Sequence, residues 1–200
     1  MSWRDLPGYF NFEDLYSEMV RTAPPDSILI EVGVAFGRSL AYLAREAINA
    51  KKNLKVYAVD SWETNFDWWA EGPCRDSLIK YGGAFSAFLG GMRQYAYDEL
   101  EFVRIVRHNS WEAARLFEDY SCHAVFIDAD HQFGAVKRDL EAWKEKVQPR
   151  GYFAGHDIDQ PGVNMACHLV LGPYGFKVRK SRETLGDLVA PGAGDCWIRT

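Results

Sequence analysis

The sequence SILIEVGVAFGRSL, from Ser27 to Leu40, contains the features that decide the fold. An apolar run from Ile28 to Ile30 ends at the acid Glu31, and two glycines, Gly33 and Gly37, then bracket a turn. A short β-branched run of this kind indicates a strand that is buried on both faces of a parallel sheet. Apolar residues at helical spacing follow the turn and indicate a helix with one buried face. The stretch is therefore predicted to form a strand, a glycine-rich turn and a helix.

The predicted turn is suited to binding a ligand. A molecule lying across it would meet backbone N–H groups and the positive end of a helix dipole, at the carboxyl end of a strand where open α/β sheets bind their ligands. Ser39 is predicted to cap the helix. The dinucleotide fingerprint G-x-G-x-x-G is missing, because the turn offers only Gly33 and Gly37, which are four residues apart. A nicotinamide-dependent oxidoreductase is therefore the weaker alternative.

The composition is that of one ordinary globular unit. The chain has 200 residues, of which 48% are hydrophobic and 26% are charged, so we predict a single domain over residues 1–200. A formal net charge of −5 and the lack of a basic run argue against nucleic acid as a partner. Four separated cysteines without a CxxC pair favour a reducing compartment. Because no stretch approaches the about 20 apolar residues of a membrane span, we expect a cytoplasmic protein with no membrane partner.

Hydrophobic periodicity predicts the remaining helices and strands. Asn11 is predicted to cap a first helix that packs on the sheet. Further helices are predicted at Phe85 to Met92, at Trp111 to Phe117 with Ser110 as the cap, at Val136 to Val147 and at Val163 to Leu171. The predicted strands are Ile28 to Ile30, Lys55 to Val59, Phe102 to Val106, Ala124 to Ile127, Gly151 to Gly155, Phe176 to Arg179 and Cys196 to Arg199.

Two further features lie after the second predicted strand. Asp60 ends that strand, 60 − 37 = 23 residues after Gly37, where an acid can bind the ribose hydroxyls of a nucleoside-bearing cofactor. Residues 62–80 are rich in aromatic side chains and interrupt the alternation of strands and helices. They are interpreted as a lid-like insertion over the cofactor. An aromatic cluster that packs the interface of a homo-oligomer or a satellite core is an equally good interpretation.

Two neighbouring predicted strands each run directly into acids and a histidine. The fourth strand is followed by Asp128, Asp130 and His131, and the fifth by His156 and Asp157. Asp128 and Asp157 are 157 − 128 = 29 residues apart, a normal strand-helix-strand repeat, so both should emerge at the same edge of the sheet. Adjacent carboxylates repel each other, and a divalent cation would relieve that repulsion. Oxygen ligands favour Mg²⁺, Ca²⁺ or Mn²⁺.

Two segments resemble a known family. EVGVAFG resembles the first motif of class I S-adenosylmethionine (SAM) methyltransferases, whose middle position is often Gly and is Ala35 here. FIDADHQFGAVKRDLEAWKEKVQPRGYFAGHDID resembles the later half of the metal-assisted O-methyltransferases, which methylate catechols and sugar hydroxyls. With Asp60, the resemblance covers nearly the whole chain. It implies a Rossmann-like α/β sandwich with a mostly parallel seven-stranded sheet and an antiparallel C-terminal strand pair.

The resemblance also implies site residues. Asn109 would bind the adenine amino group, and Asp128, His156 and Asp157 would bind a metal ion, with Mg²⁺ or Mn²⁺ as the first candidates. Relatives often have Asp or Glu at the position of His156, and an imidazole favours Mn²⁺, Fe²⁺ or Zn²⁺ over Mg²⁺. The implied cofactor contacts are Glu31, Gly33, Ala35, Gly37, Ser39, Asp60, Ser61, Asn109, Ser110 and Asp128.

The expected function is therefore SAM-dependent methyl transfer to a hydroxyl of a small molecule, with a divalent metal that lowers the pKa of that hydroxyl. Asp130 and His131 are the candidate general bases. If the chain stays extended, Asp130 leaves the same face as Asp128, and it matches the suspected base in sugar-methylating relatives. His131 has an ordinary pKa nearer to neutrality, although a supporting or capping role fits it equally well. A non-catalytic SAM- or metal-binding module, or a partner subunit, is the alternative.

Overall fold

The computed structural model describes residues 2–63, 72–180 and 194–200. Within these ranges the chain forms a seven-stranded sheet with helices on both faces. The strands are β1 (Ile28–Val32), β2 (Lys55–Asp60), β3 (Arg104–Arg107), β4 (Cys122–Ile127), β5 (Val147–Gly155), β6 (Phe176–Arg179) and β7 (Cys196–Arg199). The α-helices are α1 (Glu13–Thr22), α2 (Arg38–Ala50), α3 (Gly72–Tyr81), α4 (Ala84–Tyr95), α5 (Tyr97–Phe102), α6 (Ser110–Ala113), α7 (Phe133–Trp143) and α8 (Pro161–Leu171), with 3-10 turns at Trp3–Asp5 and Ala114–Leu116.

The strand order is β3-β2-β1-β4-β5-β7-β6. The first five strands are parallel, and β7 runs antiparallel to its neighbours β5 and β6. The chain winds outward in opposite directions from β1 and β4, so the boundary between these two strands is a topological switch point, where open α/β sheets bind ligands. This arrangement confirms the predicted sheet, including its antiparallel C-terminal pair.

The sheet separates two apolar cores. In β1, Leu29 belongs to the core beneath α1, α2, α4 and α5, whereas Ile30 and Val32 belong to the core beneath α6, α7 and α8. Successive residues of a strand point to opposite faces, so β1 is buried on both sides, as its continuous apolar run predicted.

One acid interrupts the apolar pattern of β1. Glu31 is 1% exposed, and its two carboxyl oxygens accept hydrogen bonds from the hydroxyls of Tyr16 (2.9 Å) and Ser39 (2.7 Å). Burial raises the pKa of Glu31 to about 8. The prediction that Ser39 caps α2 is wrong, because its hydroxyl bonds to this buried acid. The N-cap of α2 is instead Gly37, in a left-handed conformation.

Two other predicted helix caps are also wrong. The N-cap of α1 is Phe12, and no side chain caps this helix; the Asn11 side chain bonds to His156 instead. The N-cap of α6 is Asn109, and Ser110 is the first helical residue. In each case the polar side chain has a long-range partner, which a local capping rule cannot anticipate.

Some element boundaries also differ from prediction. Phe102 ends α5, so β3 starts only at Arg104, and Val147 starts β5 rather than continuing α7. The pairing of β5 with β4 shifts register between Val147 and Tyr152, around Pro149. This irregularity interrupts the alternation of apolar residues, so hydrophobic periodicity did not predict the start of the strand. Of the predicted insertion at residues 62–80, residues 64–71 lie outside the described ranges, while its later part forms α3.

The Ser39 to Glu31 hydrogen bond should stabilise the fold. We expect Ser39→Ala to lower the free energy of unfolding by about 1–3 kcal/mol, because the mutation removes a partner from a buried polar group. Chemical denaturation of this variant should be compared with that of Ser86→Ala, which changes an exposed serine of α4 and should shift stability by less than about 0.5 kcal/mol. Equal stability of Ser39→Ala and the wild type would contradict this expectation.

Candidate active site

Four parallel strands end at the same level of the sheet. Val32 of β1 pairs with Val59 of β2 and with Ile127 of β4, and Ile127 pairs with Gly155 of β5. The polar residues that close or follow these strands therefore share one edge, as the sequence predicted for Asp128 and Asp157. These residues are Asp60, Asp128, His156 and Asp157, together with the turn that starts at Gly33.

The glycine-rich turn packs directly on the end of β4. Gly33 has a φ of 86°, and a Cβ atom at this position would lie 2.0 Å from the carbonyl oxygen of Asp128. Only glycine fits here, because the backbone of the turn is in contact with the backbone of the neighbouring strand end. Ala35 also has a left-handed φ, 48°, which explains why glycine is usual at this position of the motif.

The Asp60 carboxylate holds the shape of this turn. One oxygen accepts from the backbone N–H groups of Val34 (2.8 Å) and Ala35 (3.0 Å), and the other from the N–H of Trp62 (2.7 Å). The next residue, Ser61, accepts an Arg107 hydrogen bond at its carbonyl oxygen. Asp60 is thus at the predicted place beside the turn, and ribose binding by it stays a prediction.

Two predicted cofactor contacts lie beneath the turn rather than on its surface. Glu31 and Ser39 are 1% and 8% exposed, and they bond to each other. They support the start of α2 from below, and direct contact of either residue with a cofactor stays a prediction. The acid of the motif was found by the sequence, but its burial depends on α1, which supplies Tyr16.

A buried acid that the sequence analysis did not identify, Asp139 of α7, lies beside the junction between β3 and α6. Ser110 accepts a hydrogen bond from Trp143 Nε1 (2.9 Å) and bonds to Asp139 of α7. Burial raises the pKa of Asp139 to about 6. Within the described ranges its Oδ1 has no hydrogen-bond partner. Asp139 lies between Val136 and Leu140 on the buried face of α7. An acid at this position of the apolar pattern is the sequence feature that could have predicted its burial.

A cluster of two acids and a histidine follows β4 and β5. Asp128, His131 and Asp157 can each place one ligand atom so that all three atoms lie within 4.8 Å of one another. His131 Nε2 is 3.0 Å from Asp157 Oδ2. His156 borders the cluster, with its Nδ1 3.2 Å from Asp157 Oδ2 and 3.8 Å from Asp128 Oδ1. The structure therefore brings together four of the predicted residues.

The pKa values in the cluster reflect burial and mutual attraction. Burial acts to raise the pKa of Asp157, but hydrogen bonds from His131 and His156 hold it well below its usual range. Burial acts to lower the pKa of His156, but the hydrogen bond to Asp157 and the charge of Asp128 raise it to about 9. Burial is also the main cause of the raised pKa of Asp128. The carboxylates thus favour positive charge next to them.

The structure separates the two candidate bases. Asp130 is exposed, and its Oδ1 accepts a hydrogen bond from the backbone N–H of Gln132 (2.7 Å), the N-cap residue of α7. The expectation that Asp130 and Asp128 converge on one pocket is not met, because the chain turns into α7 and it is His131 that joins the cluster. The predicted metal set of Asp128, His156 and Asp157 stays a prediction: all three residues lie together, and His131 is a further candidate ligand beside the two acids.

The residues of the cluster fit a divalent metal ion. Two carboxylates and one imidazole converge, with a second imidazole beside them. Mixed oxygen and nitrogen ligands of this kind suit Mn²⁺, Fe²⁺ or Zn²⁺ better than Mg²⁺, which prefers oxygen ligands. Asp157 has a left-handed φ of 57°, an uncommon conformation for a residue other than glycine and one often found at functional sites.

A glycine-rich turn at a topological switch point, next to an acidic cluster, defines an α/β enzyme site of the cofactor-binding type. Residues 30–158 match the model of a methyltransferase-domain family. The chain therefore belongs to this methyltransferase family. A search of curated proteins finds no significant sequence match.

Solved structures share the fold. The O-methyltransferase NovP has a TM-score of 0.64 and 18% identity, with 100% of this chain and 86% of NovP covered. A SAM-dependent O-methyltransferase from Thermotoga maritima has a TM-score of 0.62 and 17% identity, covering 98% and 67%. An rRNA methylase from Streptococcus thermophilus has a TM-score of 0.53 and 16% identity, covering 94% and 93%. These matches confirm the predicted Rossmann-like methyltransferase fold. None of the described helices is long and apolar enough to cross a membrane.

Asp139 should make stability depend on pH. Its pKa is raised from 3.8 to about 6 by folding, so the folded state binds this proton more tightly, and the stabilisation is lost as the pH rises through about 6. We expect Asp139→Asn to increase the free energy of unfolding at pH 8 by about 1–3 kcal/mol and to change it little at pH 4. Denaturant titrations at both pH values measure this effect. Asp119→Asn, at an exposed acid, is the control; a pH-independent effect of Asp139→Asn would contradict the assignment.

Proposed function

We propose that this protein transfers a methyl group from SAM to a hydroxyl of a small molecule, with the assistance of a divalent metal ion. One observation carries the proposal: the turn at Gly33 packs on the backbone of Asp128, a member of the acid and histidine cluster. A cofactor on the turn and a metal ion in the cluster would therefore be immediate neighbours. This proximity would bring the methyl group of SAM close to an acceptor hydroxyl held at the cluster.

Membership in the methyltransferase family supports SAM as the cofactor. On this proposal the backbone of the turn and the start of α2 hold the amino-acid end of SAM, Asp60 binds the ribose, and Asn109 binds the adenine. Asp60 then has two tasks, because its carboxylate also holds the N–H groups of Val34 and Ala35. The proposed contacts are Gly33, Ala35, Gly37, Asp60, Ser61, Asn109, Ser110 and Asp128.

The acid and histidine cluster is proposed as the metal site. Asp128, His131 and Asp157 would hold the ion, with His156 beside them. A divalent ion bound there would lower the pKa of the acceptor hydroxyl and fix the position of its oxygen. Asp130 is proposed as the proton acceptor, because it lies in the chain between Asp128 and His131 at the rim of the cluster, whereas His131 is engaged with Asp157. This role requires the exposed Asp130 side chain to reach the acceptor hydroxyl when the acceptor is bound.

The acceptor is proposed to be a small hydroxylated molecule. One structural neighbour is an rRNA methylase, but the net charge of −5 disfavours RNA binding by this chain. Residues 62–80 are proposed as the wall of the acceptor site, within a single domain. The alternative proposal is that the same aromatic segment forms the interface of a homo-oligomer.

Ligand binding tests the proposal directly. In calorimetric titrations we expect binding of SAM or its demethylated product, no binding of NAD, and binding of Mn²⁺. Asp128→Asn should abolish Mn²⁺ binding but leave the protein folded, because the acid lies at a strand end and outside the apolar core. SAM should still bind this variant through the glycine-rich turn, Asp60 and Asn109. Asp119→Asn, at an exposed acid paired with Lys146, should bind Mn²⁺ as the wild type does. Preference for NAD, or unchanged Mn²⁺ binding by Asp128→Asn, would overturn the proposal.

Turnover tests the catalytic roles. A panel of catechols, sugars and RNA, assayed with and without chelator, identifies the acceptor class. We expect Asp130→Asn to reduce turnover by roughly 10²–10⁴-fold while SAM and metal affinities persist, which is the loss typical of a general base. His131→Ala should lose metal affinity, whereas His168→Ala, at an exposed histidine, should not.

Two outcomes would change these assignments. If His131→Ala retained metal but lost turnover while Asp130→Asn did not, the base would be His131. Binding of SAM and metal without turnover of any acceptor would instead favour a non-catalytic module or a partner subunit.

A further inference from the structure

Asn11 connects three distant parts of the chain at the edge of the acid and histidine cluster. It precedes α1 and is 6% exposed. Its Oδ1 lies 2.9 Å from His156 Nε2, at the end of β5, and its Nδ2 lies 3.4 Å from the carbonyl oxygen of Gly194, just before β7. Both ends of this buried amide are hydrogen-bonded, to residues 145 and 183 positions away in the sequence. The tertiary structure therefore fixes the position of the Asn11 side chain.

The partners of Asn11 fix the orientation of its amide group. A backbone carbonyl can only accept a hydrogen bond, so the NH₂ end of the amide must face Gly194. The oxygen end must then face His156 Nε2, and because this oxygen can only accept, Nε2 must carry a hydrogen atom. The opposite arrangement would place the two oxygens of Asn11 and Gly194 against each other. The protonated nitrogen of His156 therefore follows from the neighbours of Asn11.

The other nitrogen of His156 faces the acids. Nδ1 lies 3.2 Å from Asp157 Oδ2 and 3.8 Å from Asp128 Oδ1. The Phe12 ring packs against the imidazole, with 4.8 Å between ring centroids, and restricts its rotation. With Nε2–H directed at Asn11, Nδ1 is the nitrogen that faces the two carboxylates. A cation held by these carboxylates would take the place of the proton that Nδ1 shares with Asp157, and that proton would pass to solvent. Metal-binding histidines commonly donate their second N–H to such a partner, which fixes the ring and its tautomer.

We propose that Asn11 is a positioning residue that presents His156 Nδ1 as a fourth donor to the cation site. The inference rests on the proposed metal site and deepens it. An added imidazole donor shifts the preference of a carboxylate site from Mg²⁺ towards Mn²⁺, Fe²⁺ or Zn²⁺. The segment before α1 thereby determines which metal ion the site prefers.

The test compares Mn²⁺ and Mg²⁺ affinities by calorimetric titration of the purified full chain. Asn11→Leu keeps the size of the side chain and removes both hydrogen bonds. We expect it to weaken Mn²⁺ binding by about 10–100-fold, and Mg²⁺ binding much less, so that the Mn²⁺ to Mg²⁺ affinity ratio falls. Gln148→Leu is the matched control, because Gln148 is the amide partner of another histidine, His123 at 3.0 Å, and should leave both affinities unchanged.

A double-mutant cycle separates positioning from a general loss of structure. If Asn11 acts through His156, the variant carrying both Asn11→Leu and His156→Ala should bind Mn²⁺ no more weakly than His156→Ala alone. Circular dichroism checks folding, and Asn11→Ala replaces Asn11→Leu if the latter does not fold. An unchanged affinity ratio in a folded Asn11 variant, or additive losses in the cycle, would overturn this inference while leaving the metal site standing. Failure of the wild type to bind either ion would overturn the proposed function itself.

Discussion

The contact between the turn at Gly33 and the backbone of Asp128 is the constraint on which the site depends. A Cβ atom at Gly33 would lie 2.0 Å from the Asp128 carbonyl oxygen, so the two strand ends meet without an intervening side chain. The parallel registers of β1, β2, β4 and β5 bring their ends to one level. Together these features place the glycine-rich turn and the acid cluster side by side. Any residue larger than glycine would force them apart, because a backbone cannot yield as a flexible side chain can.

Two buried acids stabilise the turns of the site from the interior. Glu31 bonds to Ser39 below the glycine-rich turn, and Asp139 bonds to Ser110 below the junction of β3 and α6. In both places the hydroxyl of a serine near the start of a helix hydrogen-bonds to a buried acid and does not cap the helix. Burial raises the pKa of both acids, which shows that each is held in the interior at an electrostatic cost. Hydrogen bonds to such buried polar groups fix the backbone of the two turns, whereas apolar packing alone is less specific.

Electrostatic attraction between carboxylates and imidazoles organises the acid and histidine cluster. Asp128 and Asp157 lie close together in a half-buried place, and two imidazoles approach them from different elements. His131 comes from the chain after β4, and His156 from the end of β5. The same arrangement that lets the imidazoles stabilise the carboxylates places nitrogen and oxygen atoms of the kind that bind divalent metal ions side by side. The site therefore differs in its donors from one built of carboxylates alone.

The sequence by itself determined the seven strands, the helices other than α3 and α5, and the common edge at which Asp128 and Asp157 meet. These follow from hydrophobic periodicity and strand-end position, which are local properties of the chain. The tertiary structure alone decided that His131 joins the acids while Asp130 turns towards α7, that Glu31 and Ser39 lie beneath the surface, and that Asn11 bonds to His156. Each of these depends on a partner far along the chain or on the direction of the backbone after a strand ends, and neither is encoded in residue type or spacing.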